Sequence, residues 1–352
     1  MNVLIDHHHG ALFRSLYYLF NKRLKFNVYV PYEMDWLEKI GLYSCYNNIE
    51  TSKQMLLSWI HDEYTKEAFN FIPLTYDEFS NGKVKIDYFV PTLFENLEPF
   101  ERINNSQYGG SSKVIYQVGN NTPICYCDKA KNLLSSSYPS YLESSAPHKL
   151  FYRQEFSLDH FTPTKPENIK SIGCFRNVMD DNDIPLWNRL KELLPDWEFK
   201  AYGHGNEDGV VKDREDYMSK AMGKFGFIYH VKHDEGYGHV IHNAFALGKP
   251  LIVNMAASYR HVGYDNNVVI RNTSTFLFEK DTSNNYYDPN YHDNMEDFIL
   301  DSGSKPEFLA EQLTKMANNY DYYSNGVIKK FNDIVDFQKD ADNVKTFLDN
   351  LI

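Results

Sequence analysis

Cysteine and positive charge are both in short supply in this chain. The four cysteines are Cys45, Cys125, Cys127 and Cys174. Cys125 and Cys127 form an isolated C-x-C with no second pair at zinc-ligand spacing, which excludes a disulfide scaffold or zinc module and predicts free thiols in a reducing cytosol. Lysine and arginine number 36 against 48 acidic residues, a net charge of −12. Phosphate backbones need clustered cations, so a broad non-specific nucleic-acid surface is excluded, although a short basic groove is not. No apolar run approaches the roughly 18–20 residues of a membrane span. The opening MNVLIDHHHG has neither the basic start nor the apolar core of a secretory signal, so a cytoplasmic protein without a membrane span is expected. What is present is 42% hydrophobic and 16% aromatic residues over 352 positions. That suffices for real cores and suggests two domains.

The most informative stretch is 224–254, KFGFIYHVKHDEGYGHVIHNAFALGKPLIVN. Phe225–His230 and Pro250–Asn254 are apolar runs of strand type. Val240, Ile241, Ala244, Phe245 and Leu247 recur at helical spacing between them, with Gly248 and then Pro250 as stop signals. A strand, a helix and a strand at this spacing predict a right-handed crossover in a parallel sheet. The loop before the helix carries Asp234 and Glu235 ahead of Gly236-Tyr237-Gly238. Glycines at a helix start let backbone N–H groups approach an anion. A carboxylate there would repel a bare phosphate, and suits sugar hydroxyls instead. A plain βαβ unit with a glycine-rich loop and no ligand is the bland alternative.

Glu235, Gly236, Tyr237, Gly238, Ala244, Ala246, Gly248 and Pro250 together resemble the donor-binding segment of GT-B-fold glycosyltransferases, above all the retaining family-4 type. The departure is Asn243, which stands where that pattern has its second glutamate. The resemblance implies an α/β protein of two Rossmann-like doubly wound domains facing across a cleft. It also implies transfer of a sugar from a nucleoside diphosphate donor to a hydroxyl acceptor, with retention and without a bound metal. In such enzymes the first acid approaches the donor sugar and the second holds the ribose. Asn243 can still hydrogen-bond a ribose, as a neutral group.

The rest of the chain fits this layout. Asn2–Ile5 and Phe26–Val30 read as strands around an amphipathic helix over 11–24, whose apolar face carries Leu12, Leu16, Leu19 and Phe20. Asp6-His7-His8-His9-Gly10 forms the loop after the first strand, where doubly wound sheets bind ligands. Further elements are expected as a helix over 52–69, a strand over 84–90, a helix over 92–103 and strands over 114–118, 133–137 and 150–156. Residues 157–168 have linker composition. Beyond them come strands over 169–175 and 199–202, a helix over 184–194 with Asp183 in a cap-like place, and a helix over 212–222. A loop or short helix over 258–265, a short strand over 268–270, a loop over 284–294 and a helix over 306–318 complete the pattern. The domains expected are 1–160 on the acceptor side, 161–320 for the nucleotide sugar, and 321–352 as helices packing back on the first.

The residues expected to carry the chemistry are Glu235, His8, His9, Arg176 and Lys232. Gly10, Gly173, Arg176, His204, Lys232, Gly236, Tyr237, Gly238, His239 and Asn243 are expected at the donor. Arg176 matches the arginine that the family uses on the leaving diphosphate. No lysine follows it closely, so Lys232 is the substitute. A zinc site on Glu235 and His239 is disfavoured, because the intervening glycines interrupt a helical face. Retention needs no enzyme base, since the leaving phosphate can take the acceptor's proton. Inversion would call on Asp6, His7, His8 or His9. The expected partners are a nucleotide sugar and a glycan or other hydroxyl acceptor, with a modified DNA base less favoured. Two rivals are a nucleotide-sugar epimerase of the same fold and a non-catalytic nucleotide-sugar-binding module.

Overall fold

The computed structural model describes residues 1–6, 10–31, 36, 39–42, 69–119, 124–176, 179, 183–212, 214–232, 237–254, 256–258, 269–271 and 296–351. Two compact units divide them. One comprises Met1–Glu155 with Asp336–Ile352, and the other Phe156–Arg260 with Tyr264–Val335. The expected helix over 52–69 and loop over 284–294 fall almost wholly outside the described residues.

In the first unit, β1 (Asn2–Ile5), β2 (Asn27–Pro31), β3 (Ile72–Leu74), β4 (Tyr88–Val90) and β5 (Lys113–Val114) form a parallel sheet ordered β3-β2-β1-β4-β5. Val3, Leu4 and Ile5 are all fully buried, as expected of a strand covered on both faces. Val3 and Ile5 join Leu12, Phe13, Leu16, Val28 and Val90 on one side, together with Ala341, Val344 and Leu348 from the helix Phe337–Asp349. Leu4 joins Trp36, Phe79, Phe89 and Phe100 on the other. A second parallel sheet is ordered β6 (Tyr116–Val118), β7 (Asn132–Ser135), β8 (His148–Phe151). The single strand expected over 114–118 is therefore two, belonging to different sheets. The first helix is α-helical over Gly10–Tyr17 and then widens to a π-helix over Tyr18–Arg23. It ends on Lys25 at φ 62°, a left-handed turn that brings the Phe26 N–H to the Phe20 carbonyl at 2.8 Å.

In the second unit, β9 (Asn168–Phe175), β10 (Glu198–Tyr202), β11 (Phe225–His230) and β12 (Leu251–Val253) precede an antiparallel pair, β13 (Ala256–Ser258) and β14 (Val269–Arg271), and then β15 (Ile299–Asp301). The main sheet is parallel and ordered β10-β9-β11-β12-β15. Helices Ile184–Leu193, Glu215–Gly223, His239–Ala246, Pro306–Asn318 and Tyr320–Ile334 belong to this unit. β11 slips register against β9 between Phe225 and Phe227. Gly226 sits in that slip, where a Cβ would lie 2.0 Å from the Ile169 carbonyl oxygen. The helix over 239–246 ends as the sequence predicts: Gly248 takes φ +74°, its N–H reaches the Phe245 carbonyl at 3.0 Å, and the Lys249 N–H reaches the Ala244 carbonyl at 2.8 Å, a Schellman closure. Asp183, by contrast, does not cap the helix that follows it. Its carboxylate is taken by Arg176 instead. Among the described residues, no helix is long and apolar enough to cross a membrane.

Candidate functional site

A doubly wound sheet opens a crevice where the strand order reverses, beyond the carboxyl ends of the strands. In the first unit β1 lies between β2 and β4, so its crevice falls beside Asp6. That carboxylate bridges two strand ends. It accepts from the Thr92 N–H at 2.7 Å, the Thr92 hydroxyl, the Asn96 amide at 2.7 Å and the Leu93 N–H at 3.4 Å. Burial pushes its pKa up to about 6, while these donors pull it down. Asp6 is thus fully engaged as an anchor between the end of β1 and the segment after β4. Gly10 opens the helix Gly10–Tyr17. His7, His8 and His9 lie outside the described residues.

In the second unit the reversal falls between β9 and β11, and their carboxyl ends carry Arg176 and Val231-Lys232. Arg176 Nη1 donates to the Val231 carbonyl at 2.8 Å, and the guanidinium pairs with the buried Asp183. Asn206 ties the next strand in, donating to the carbonyls of Arg176 at 2.7 Å and Tyr202 at 3.1 Å. Lys232 is half-buried and makes no hydrogen bond or ion pair with any described residue. So the two cations expected at a diphosphate are brought to one crevice in different states, with Arg176 already committed and Lys232 uncommitted.

Beyond β11, Tyr237 and Gly238 lead into the helix His239–Ala246. Tyr237 is buried and stacks on His242 with centroids 4.2 Å apart and planes at 14°, and it meets His239 edge-on at 5.2 Å. His242 Nδ1 lies 2.9 Å from the Gly238 carbonyl. A carbonyl can only accept, so Nδ1 carries the proton. These contacts fix the helix start. Gly238 is its cap residue and offers no side chain to the first turn, whose N–H groups carry partial positive charge suited to an anion. One turn on, Asn243 is 9% exposed and its Oδ1 is buried with no hydrogen-bond partner among the described residues. A buried amide oxygen without a donor carries a free-energy cost that a ligand hydroxyl would remove.

Two further expected donor residues lie on β9 and in the turn after β10. Gly173 lies within β9, where a Cβ would come within 2.7–2.8 Å of the rings of Phe225 and Phe175, so its smallness serves aromatic packing. His204 is exposed in the turn after β10, which lies on the opposite side of β9 from β11. Glu235 and Gly236 lie outside the described residues. Among the described residues, no three His, Cys, Asp or Glu side chains are grouped to hold a metal ion. Asp183 was missed by sequence reasoning as a partner of Arg176; an acid just before a helix reads as a cap, and only the paired strand ends reveal its other use.

Two doubly wound parallel units in one chain define the GT-B fold, the fold of a broad class of glycosyltransferases. Solved structures share it along the whole length. HepE from Anabaena, solved with UDP-glucose, superposes at TM-score 0.62 with 11% identity, over 100% of both chains. TarM gives 0.61 at 10% identity over 99% of both chains. Sucrose-phosphate synthase from Thermosynechococcus elongatus gives 0.60 at 9% identity over 98% of both. No protein-family model and no curated protein matches the chain by sequence.

Proposed function

We propose that this protein is a glycosyltransferase that moves a sugar from a nucleoside diphosphate donor to a hydroxyl acceptor, with retention of configuration and without a bound metal. One observation carries the reading. Following β11 the chain carries an ammonium at Lys232 with no partner among the described residues, then a helix start at Gly238 and, one turn on, a buried amide oxygen at Asn243 with no hydrogen-bond partner among the described residues. Those are three complementary needs of a nucleotide sugar: charge for the diphosphate, backbone N–H groups beside it, and a partner for a ribose hydroxyl. HepE, of the same fold, was solved with UDP-glucose, which supports the donor class. In this reading Glu235 faces the donor sugar, Arg176 and Lys232 supply positive charge beside the leaving diphosphate with Lys232 as the cation that meets it, and Tyr237 and His239 shape the loop around it. The leaving phosphate takes the acceptor's proton. His8 and His9 face the acceptor.

The test is a thermal-shift panel of nucleoside diphosphates and their sugars, with and without EDTA. A ligand well above its Kd should raise the transition by several degrees, equivalent to a few kcal/mol. The expected result is a shift from one nucleotide series that survives EDTA, with an extra shift from the sugar that Glu235→Ala removes. No shift from any nucleotide overturns the reading. Epimer interconversion without an acceptor would favour an epimerase, and binding without donor hydrolysis or transfer would favour a binding module.

A further inference from the structure

We infer that Asp183 is a positioning residue of the donor site: it holds Arg176 across the ends of β9 and β11, so that Lys232 is left as the cation that meets the anionic part of the donor. This rests on the donor-site reading above and adds a division of labour between its two cations.

The argument is a closed ring of bonds. Arg176 leaves the end of β9 and donates to the Val231 carbonyl at the end of β11 at 2.8 Å. Its guanidinium pairs with Asp183, whose side chain is wholly buried, while that of Arg176 is 14% exposed. The Asp183 carbonyl accepts from the Tyr229 hydroxyl at 2.9 Å. Tyr229 lies two residues before Val231 on β11, so the ring returns to its start. Together these links fix the carbonyl of the residue that precedes Lys232.

Asp183 could instead have capped the helix Ile184–Leu193. It stands at the cap position with αR geometry, φ −91° and ψ −39°, and makes no side-chain cap bond. Its carboxylate is directed to Arg176 at the cost of an uncapped helix start. A buried carboxylate needs a partner, and a planar guanidinium bonded on two sides keeps one orientation. Lys232 differs on both counts. It has a flexible stem, a compact ammonium and no partner among the described residues. A ligand anion would meet it without breaking an existing pair.

The test is calorimetric titration of UDP, ADP and GDP into wild type, Asp183→Asn, Arg176→Gln, the double variant and Lys232→Met, each checked by thermal melting. Wild type is expected to bind at least one of the three. Asp183→Asn should weaken that binding about tenfold, and the double variant should bind no more weakly than Arg176→Gln alone, because the two residues act as one unit. Lys232→Met should remove most of the dependence of binding on salt. A folded Asp183→Asn with wild-type affinity overturns the inference, as do penalties that add in full. If Asp183→Asn does not fold, Tyr229→Phe replaces it. That variant loses only the hydroxyl on the Asp183 carbonyl and should weaken binding about threefold, again without adding to Arg176→Gln; unchanged affinity overturns the inference. Wild type that binds none of the three nucleotides overturns the donor-site reading itself, a distinct outcome.

Discussion

The ammonium of Lys249 donates to the Thr164 carbonyl at 2.6 Å and to the Gly223 carbonyl at 2.9 Å, and the residue is wholly buried. Burial pushes its pKa down from 10.5 to about 7. The unfolded chain keeps the higher value, so between about pH 7 and 10.5 the unfolded state binds more protons and stability rises with pH. Below that window the cost of burying the charge is present in full. It amounts to as much as roughly 5 kcal/mol before the two carbonyl bonds offset it. Lys249→Met should flatten this rise, as checked by urea midpoints measured across the window.

Asp6 runs the other way. Its folded pKa stands near 6 against 3.8 in the unfolded chain. The folded state holds the proton more tightly there, so this contribution to stability is full below pH 4 and is lost as pH rises through 6. Asp6→Asn should remove that slope. It should also cost about 1–3 kcal/mol, because the new amide N–H group faces the donors of Thr92 and Asn96. Denaturant midpoints between about pH 3 and 7, about one unit either side of those two values, separate the effects.

Two glycines should tolerate no side chain. Gly226→Ala drives a methyl into the Ile169 carbonyl. Gly248→Ala strains a φ of +74° and also crowds Ile328 and Ser324 at 2.9 Å. Each should cost about 1–3 kcal/mol or more, seen as a lowered melting temperature.

Asn243 separates binding from folding. Asn243→Ala removes a buried amide oxygen with no partner among the described residues, so thermal stability should change little or rise. Nucleotide affinity should fall by about tenfold. Asn243→Glu should retain binding, since a carboxylate accepts from the same hydroxyls. Titration calorimetry on both variants checks this.

Strands with continuous apolar runs were legible in the sequence. β1 and β11 match their expected bounds, and so does the helix Pro306–Asn318. Those segments are buried on both faces or strongly amphipathic, so local pattern and tertiary environment agree. β3 was not legible, because Ile72–Leu74 is short and carries Pro73. β15 was hidden for a related reason: Ile299–Asp301 is brief and ends on an acid. At the site, the helix start could be read from spacing, whereas Asn243 was reached only through the resemblance of the segment to a GT-B donor site. The commitment of Arg176 could not, because its partners are 7 and 55 positions away and meet only when β9 and β11 pair. Lys249 was equally hidden, since nothing in Gly248-Lys249-Pro250 signals burial.

The helix Phe337–Asp349 completes the first unit. Arg153 pairs with Asp340 at 2.9 Å, and Ala341, Val344 and Leu348 fill the core beside β1. Burial of such side chains is worth roughly 1.5–3 kcal/mol each for the larger ones. During synthesis, the second unit can therefore assemble from a contiguous stretch while the first waits with its core open. The half of the protein made first is the half that finishes last, and a nascent chain arrested once residue 335 has cleared the ribosome would hold a complete second unit beside an unfinished first one.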